Sequence, residues 1–350
     1  MQLVNRTALS AAANLTRGPH SAVERVLTVT AKATFSFDAR GQVQLDTQSP
    51  YPLFATQVQT PLGLLPRDDL PCELPQLEVM LLGKAHARGG EPTARQRVAL
   101  RVGSVRRELE VSGDRTWRSR EEISVAQAFS SMPLTYERAY GGSFDVFVDA
   151  DSRLRISDPT NALGRGFDLE HTMQAFGEAL RAPPGYPKLP GYVRQLPNVE
   201  DPEHLIAQWT DAPLPAGWGT LPMESGIRSR WVFERIAAEE PISEADVIAH
   251  AYQQAHPAWV IPLPERLPIV ELTGVVPFET VTFLLPDVQP VVDVLQGTTA
   301  SPHPLAPRML VLLPEELRFY LVYQVSLTLR YEPGVERGAR LRIEHGWRTT

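Results

Sequence analysis

Two short segments of the sequence place an acidic residue directly beside an arginine. Asp114 and Arg115 lie in SGDRTWRS, and Glu137 and Arg138 lie in MPLTYERAYGG. Two carboxylates that face each other across a cleft can supply the acid and the base, or the acid and the nucleophile, of a glycoside hydrolase. An arginine held beside each carboxylate would lower its pKa and keep it ionised, which suits a base or a nucleophile and disfavours a general acid. A hydrolase therefore remains an alternative.

The same residues fit a structural framework better. An arginine can donate two parallel hydrogen bonds to a carboxylate, and such ion pairs hold chain segments together. Neighbouring aromatic residues would pack over these pairs, and the glycines would allow turns that are closed to other residues. We predict a framework motif, with a ligand-binding or peptide-binding surface as a second interpretation. The motif comprises Gly113, Asp114, Arg115, Trp117, Glu137, Arg138, Gly141 and Gly142.

The other segments do not indicate catalysis, a metal site or a cofactor site. The sequence has no phosphate-binding loop, no dinucleotide-binding glycine pattern, no nucleophile elbow and no HExxH zinc motif. Asp149 and Asp151 alternate as in a calcium loop, but the glycine and the distant glutamate of such a loop are missing. The single cysteine, Cys72, is predicted to be a small apolar filler. We therefore assign no catalytic residue, no metal and no cofactor.

Composition and charge narrow the range of partners and compartments. The chain has 350 residues, is 43% hydrophobic and carries a net charge of -7. Nucleic-acid-binding proteins need a positive face to displace counterions, so we do not expect a nucleic-acid partner. The N-terminus lacks the pattern of a secretory signal, and no run reaches the roughly eighteen apolar residues that span a bilayer. We expect a cytoplasmic protein that does not insert into membranes.

Alternating apolar and polar residues predict long β-strands at both ends of the chain. From Leu27 to Phe37, apolar residues alternate with polar ones, which indicates a strand with one buried face. Comparable patterns predict further strands in QLEVMLLGKA, RQRVALRVG, RRELEVSG, FDVFVDADSRLRIS, PIVELTG, ETVTFLLP, RMLVLLP and LRFYLVYQVSLTLRYE. Together they predict a mainly β fold, an antiparallel β-sandwich-like core with a proline-rich, partly helical middle insertion.

Prolines and two helical patterns set the middle of the chain apart. The 32 prolines concentrate in residues 182–222 and 257–307, where they favour irregular segments because proline lacks a backbone donor. One helix is predicted in LEHTMQAFGEALR. Another is predicted in SEADVIAHAYQQA, with Ser243 as N-cap and Asp246 in the first turn. The predicted regions are an N-terminal antiparallel β region (1–125), a proline-rich, partly helical middle (126–265) and C-terminal strands that complete the core (266–350).

Several motifs occur in the same order as in a known bacterial family. The segments KATFSFDARG, GDRTW, MPLTYERAYGG, LPNVEDP, PLPAGWG and LTGVVPFETVTFLLP resemble DUF2169, a family of unknown function. Its genes are associated with type VI secretion spike proteins, and its members are described as effector adaptors or chaperones. The resemblance implies that the framework motif belongs to the family's central block. Residues 168–182 look like an insertion, and residues 223–240 lack the expected Gly-Thr-Tyr-Asp pattern before their tryptophan.

The resemblance implies a non-enzymatic adaptor that binds a type VI secretion effector and helps to load it onto the VgrG spike (valine–glycine repeat protein G). Preordered loops lose little entropy on binding, which suits a rigid scaffold in that role. The two segments that depart from the family pattern are candidates for the effector contact. The alternatives are a glycosidase-like hydrolase using Asp114 and Glu137, and a structural component of the secretion apparatus. The candidate partner-binding residues are Leu169, Met173, Phe176, Leu180, Trp218 and Trp231.

Overall fold

The longest strands of the molecule come from opposite ends of the chain and pair with each other. Glu24–Phe37 pairs antiparallel with Arg318–Arg330 along its whole length. Residues from the first and last parts of the sequence therefore share one sheet. The computed structural model describes residues 2–17, 24–119, 121–147, 153–167, 195–264, 266–296, 299–330 and 337–343.

Strands form most of the regular structure in these residues. In chain order they are β1 (Gln2–Asn5), β2 (Ser10–Arg17), β3 (Glu24–Phe37), β4 (Val43–Leu45), β5 (Val58–Thr60), β6 (Gly63–Leu65), β7 (Leu77–Leu81), β8 (Lys84–His86), β9 (Arg95–Val102), β10 (Val105–Ser112), β11 (Ser131–Pro133), β12 (Tyr140–Gly141), β13 (Ser143–Phe147), β14 (Arg153–Ser157), β15 (Arg165–Gly166), β16 (Val199–Glu200), β17 (Val260–Ile261), β18 (Ile269–Thr273), β19 (Thr280–Leu284), β20 (Pro290–Gln296), β21 (Thr299–Pro304), β22 (Ala306–Leu313), β23 (Arg318–Arg330) and β24 (Arg337–Ile343). The α-helices of the described residues are α1 (Gly226–Ala237) and α2 (Glu244–Tyr252).

Three sheets hold most of these strands. The seven-stranded sheet has the order β17-β7-β22-β23-β3-β2, with β4 paired to β3. The five-stranded sheet has the order β16-β10-β9-β18-β19, and the four-stranded sheet has the order β1-β24-β20-β21. Most pairs are antiparallel, but β7 pairs parallel with β22 and β1 pairs parallel with β24. The seven-stranded and four-stranded sheets are therefore mixed, whereas the five-stranded sheet is antiparallel throughout, as predicted.

The seven-stranded and five-stranded sheets pack on a shared hydrophobic core. Phe37 of β3 stacks on Phe283 of β19 with ring centroids 4.9 Å apart, and Phe283 stacks on Phe319 of β23 at 5.2 Å. All three rings are buried. Stacked aromatic pairs add stabilisation beyond the area that they bury. The packing confirms the predicted mainly β fold.

Strand β3 is buried on both faces, whereas its alternating sequence predicted one buried face. Lys32 on the polar face is fully buried and forms an ion pair with Asp68. Its Nζ also donates to the Pro52 carbonyl at 2.6 Å and lies 4.4 Å from the ring centroid of Tyr320. A buried ammonium needs such partners because it has lost its water. The largely irregular chain between β4 and β7, which includes the short hairpin β5–β6, covers this face and supplies Pro52 and Asp68.

Helix α2 begins as the sequence predicts, whereas α1 was not predicted. The Ser243 hydroxyl accepts from the Asp246 N–H at 3.1 Å, and the Asp246 carboxylate accepts from the Ser243 N–H at 3.2 Å. The predicted hairpin FDVFVDADSRLRIS forms β13 and β14, which pair antiparallel. The helix predicted in LEHTMQAFGEALR and the alternating Asp149 and Asp151 lie outside the described residues. Neither α1 nor α2 is long and apolar enough to cross a membrane.

Candidate functional site

Three motif segments meet at one buried residue, Asn198. Its carbonyl accepts from the Ser112 N–H, and its N–H donates to the Arg138 carbonyl, both at 2.8 Å. Its side-chain Nδ2 donates to the Ser112 carbonyl and to Asp114 Oδ1, each at 3.0 Å. Arg138 Nη1 in turn donates to Asn198 Oδ1 at 3.0 Å. We call Ser112, Asp114, Arg138 and Asn198 the motif junction, and the full burial of Asn198 makes its bonds to the backbone of Ser112 and Arg138 costly to lose.

Arg115 forms a buried ion pair with Glu200, an acid that the sequence analysis did not select. Their side chains are 6% and 2% exposed. Arg115 Nη2 also donates to the Pro197 carbonyl at 3.1 Å, and Glu200 Oε1 accepts from the Ile206 N–H at 3.0 Å. The sequence predicted Asp114 or Glu137 as the acid of such a pair. The acid that pairs with Arg115 is instead Glu200, which lies in LPNVEDP. Its place in a motif that recurs in the same order as GDRTW was the available signal.

Asp114 lies at the exposed side of the motif junction, between two guanidinium groups. Its side chain is 51% exposed, and its Oδ1 lies 3.8 Å from Arg138 Nη1 and 3.7 Å from Arg165 Nη1. Arg165 Nε donates to the backbone carbonyl of Glu137 at 3.1 Å. Burial and the neighbouring Arg138 charge lower the pKa of Arg165. Two like charges thus share one half-exposed carboxylate.

Two glycines of the framework motif are required by the close approach of another segment. A Cβ atom at Gly113 would lie 1.6 Å from the Gln127 carbonyl oxygen. Gly141 has a φ of 133°, and a Cβ atom there would lie 2.1 Å from the Asn161 carbonyl oxygen. Gly142 donates its N–H to that same carbonyl at 2.7 Å. A larger residue would push Gly113 away from the Gln127 segment, or Gly141 away from the Asn161 segment, beside the junction.

Trp117 packs beside the junction on a small hydrophobic cluster. Its ring meets that of Trp209 edge-on, with centroids 5.5 Å apart. The buried members of the cluster are Tyr140, Leu196 and Ile206. Trp117, Tyr140 and Leu196 come from the three segments that the junction joins, and Ile206 and Trp209 follow the third of them along the chain. Apolar packing and polar pairing therefore fix the same segments.

The hydrogen bonds of the motif junction and the Arg115–Glu200 pair hold chain segments in fixed positions, which is a structural role. A carboxylate pair that cleaves a glycosidic bond has to face the substrate from both sides. Here Asp114 is bound by Asn198 and flanked by arginines, and Glu137 contributes its backbone carbonyl to the contact with Arg165. Within the described ranges, no group of three His, Cys, Asp or Glu side chains is placed to hold a metal ion.

The candidate partner-binding residues fall into two sets. Trp218 is only 2% exposed and meets Trp259 edge-on at 6.2 Å, so it belongs to the core and its prediction as a surface contact was wrong. The side chains of the other candidates lie outside the described residues, although the backbone of Trp231 is described as part of α1. They are Leu169, Met173, Phe176, Leu180 and Trp231.

Helix α1 presents exposed apolar residues that the sequence analysis did not select. Phe233 is 65% exposed and Ile236 is 59% exposed. A spacing of three residues puts them on one face of the helix, which we call the α1 face. It lies within 223–240, one of the two segments that depart from the family pattern. The available signal was the helical spacing of apolar residues after Ser225.

Comparison with known proteins identifies one family. A family model described as "Uncharacterized protein conserved in bacteria (DUF2169)" matches residues 22–324. No curated protein and no solved structure matches the chain. The family match spans all of the elements from β3 to β22, including the motif junction and α1.

Proposed function

The chain belongs to the bacterial family DUF2169, and on that premise we propose that it is a non-enzymatic adaptor that binds a type VI secretion effector and helps to load it onto the VgrG spike. The proposal rests on the order of the family motifs together with what their residues do in the fold. An adaptor needs a rigid scaffold, an accessible contact surface and no reactive centre.

The motif junction is the observation that carries this proposal. The central residues of GDRTW, MPLTYERAYGG and LPNVEDP bond to one another through Asn198, and they bury the Arg115–Glu200 pair. Motif residues used in this way hold a scaffold in shape. This use supports a binding role more than a hydrolytic one, since the carboxylates of Asp114 and Glu200 are engaged with arginine and amide groups of the chain itself.

We place the effector contact on the α1 face. Phe233 and Ile236 are large, apolar and exposed, and such residues serve as anchors when they become buried in an interface. Three acids, Glu234, Glu239 and Glu240, are exposed at the same end of the helix. Glu234 pairs with Arg230 and Glu240 pairs with Arg235, so these charges are matched within the chain, and we expect a mainly apolar complementary surface on the effector.

Deletion of the gene in the producing bacterium tests the adaptor role. We expect secretion of one effector to stop while secretion of the VgrG spike continues. Loss of the spike itself from the medium would indicate a structural component of the apparatus. Wild-type protein should restore the effector, and so should the double variant Asp114→Asn, Glu137→Gln, provided that it melts like the wild type. Failure of that stably folded variant would favour the hydrolase.

A second experiment tests the α1 face. The double variant Phe233→Glu, Ile236→Glu should reduce effector capture at least tenfold in a pull-down and leave VgrG capture and the melting temperature unchanged. Val125→Glu is the matched control, because Val125 is 83% exposed and lies on a different segment. Undiminished effector capture by the double variant would show that the effector docks elsewhere.

A further inference from the structure

A cavity of about 570 Å³ lies between the two helices and the edge of the seven-stranded sheet. Pockets that bind small groups have volumes of roughly 300–1,000 Å³. Leu214, Ile227 and Ala249 contribute apolar lining, and Glu78 of β7 contributes a carboxylate. The motif junction supplies none of the lining residues, so this cavity is separate from it.

Glu78 has one oxygen engaged and one oxygen available. The residue is 2% exposed, and its Oε2 accepts from the N–H groups of Gln254 at 2.8 Å and Ala255 at 3.0 Å. Its Oε1 has no hydrogen-bond partner in the described part of the chain. Burial raises the pKa of Glu78 to about 7. A buried carboxylate without a bound cation costs stability, and such groups concentrate at binding sites.

Arg228 lies near Glu78, but it donates its hydrogen bonds to backbone carbonyls and not to the Glu78 carboxylate. Its Nε donates to the Gln253 carbonyl at 2.6 Å and its Nη1 to the Met223 carbonyl at 2.7 Å. Its Nη2 donates to the carbonyl of Ala251. Arg228 thus caps the C-terminal end of α2, where a cation is favoured. It acts on Glu78 only through its charge, which leaves Oε1 open.

The other charged groups of the lining are matched locally. Arg230 Nε donates to Glu234 Oε1 at 2.5 Å. His256 Nδ1 accepts from the Ala258 N–H at 3.2 Å, and burial lowers the pKa of His256 to about 4. His256 is therefore neutral near pH 7 and does not repel a cation. None of these groups donates to Glu78 Oε1, so this oxygen can accept a hydrogen bond from a cation that enters the cavity.

We propose that this cavity binds an ammonium or guanidinium group carried on an apolar stem, with Glu78 as the acceptor. The cation would donate to Oε1, and the stem would pack on Leu214 and Ile227. A lysine or arginine side chain of a bound polypeptide has this chemistry, and so has a free alkylamine. The inference goes beyond the adaptor role and does not depend on it.

Titration followed by NMR tests the inference and distinguishes the two sources. The probes are N-acetyl-lysine N-methylamide and hexylamine, with N-acetyl-norleucine N-methylamide and hexan-1-ol as matched neutral probes that lack the cation. We expect a cationic probe to bind at least tenfold more tightly than its matched control. Tighter binding of the capped lysine indicates a polypeptide ligand, and tighter binding of hexylamine indicates a free amine.

Two variants assign the binding to the cavity. Glu78→Gln keeps an oxygen for the two backbone N–H groups but loses the charge, so it should weaken cation binding at least tenfold. Ala249→Phe should abolish binding by filling the cavity, which keeps the test decisive if Glu78→Gln does not fold. Glu122→Gln, at an exposed position outside the cavity lining, should bind as the wild type does. Absence of cation binding, or equal binding by a folded Glu78→Gln, would overturn the proposal.

Discussion

Among single residues, the largest effects are expected where removing one group leaves its buried partner unpaired. Glu200→Ala should lower the free energy of unfolding by about 3–5 kcal/mol, because Arg115 then stays buried without an acid. Asp114→Ala should cost only about 1 kcal/mol, because Asp114 is half exposed and water can replace its contacts. Urea denaturation of both variants measures the difference.

A surface ion pair provides the control for this comparison. Glu122 pairs with Arg118 at 3.1 Å, and both side chains are well exposed. Glu122→Ala should therefore change the free energy of unfolding by less than about 0.5 kcal/mol. Equal losses in Asp114→Ala and Glu200→Ala would mean that the two acids contribute alike to the framework, contrary to their burial.

The raised pKa of Glu78 predicts a pH dependence of stability. Its ordinary value is 4.5, and burial in the folded protein raises it to about 7. The folded state therefore holds this proton more tightly, and the resulting stability is fully present below pH 4.5 and is lost as the pH rises through 7. Relative to the wild type, Glu78→Gln should gain about 3 kcal/mol between pH 4.5 and pH 8.

Urea denaturation of the wild type and of Glu78→Gln at several pH values gives this difference directly. Comparing the two proteins at each pH cancels the other titrating groups, including Asp68, whose pKa burial raises to about 6. A stability difference that stays constant from pH 4.5 to pH 8 would show that Glu78 titrates as it does in the unfolded chain.

Among the elements, helix α2 depends on a local cap. The Ser243 hydroxyl accepts from the Asp246 N–H, and Asp246 bonds back to the Ser243 N–H, so both groups are satisfied at the first turn. Ser243→Ala should destabilise the protein by about 1 kcal/mol. Ser301→Ala, at an exposed position on β21, serves as the control and should be neutral. Thermal melting checks both, and equal melting temperatures would mean that packing alone holds α2.

In the molecule as a whole, each large sheet needs strands from distant parts of the chain. Strand β3 pairs with β23, β7 with β22 and β9 with β18. A fragment of residues 1–265 lacks β18 and all later strands, so it should fail to fold. Circular dichroism and limited proteolysis of the fragment check this, with the full chain as the control. A protease-resistant fragment with native β signal would show that the N-terminal region folds alone.

The sequence by itself determined the features that depend on neighbouring residues. Alternation predicted the long strands, and the Ser243–Asp246 spacing predicted the start of α2, since both signals arise within a few positions of the chain. The motif order predicted the family. Helix α1 was not predicted, although apolar residues recur at helical spacing after Ser225.

The tertiary structure alone decided which residues meet and which are covered. Sequence adjacency paired Arg115 with Asp114 or Glu137, but the fold brings Glu200 to it across 85 positions of the chain. The sequence predicted one buried face for β3, but residues between β4 and β7 also cover the face that carries Lys32. Trp218 was predicted to contact a partner, but it packs against Trp259 in the core. The burial of Lys32 and Trp218 and the pairing of Arg115 depend on contacts between residues that are far apart in the sequence. Such contacts cannot be predicted from patterns that extend over only a few neighbouring residues.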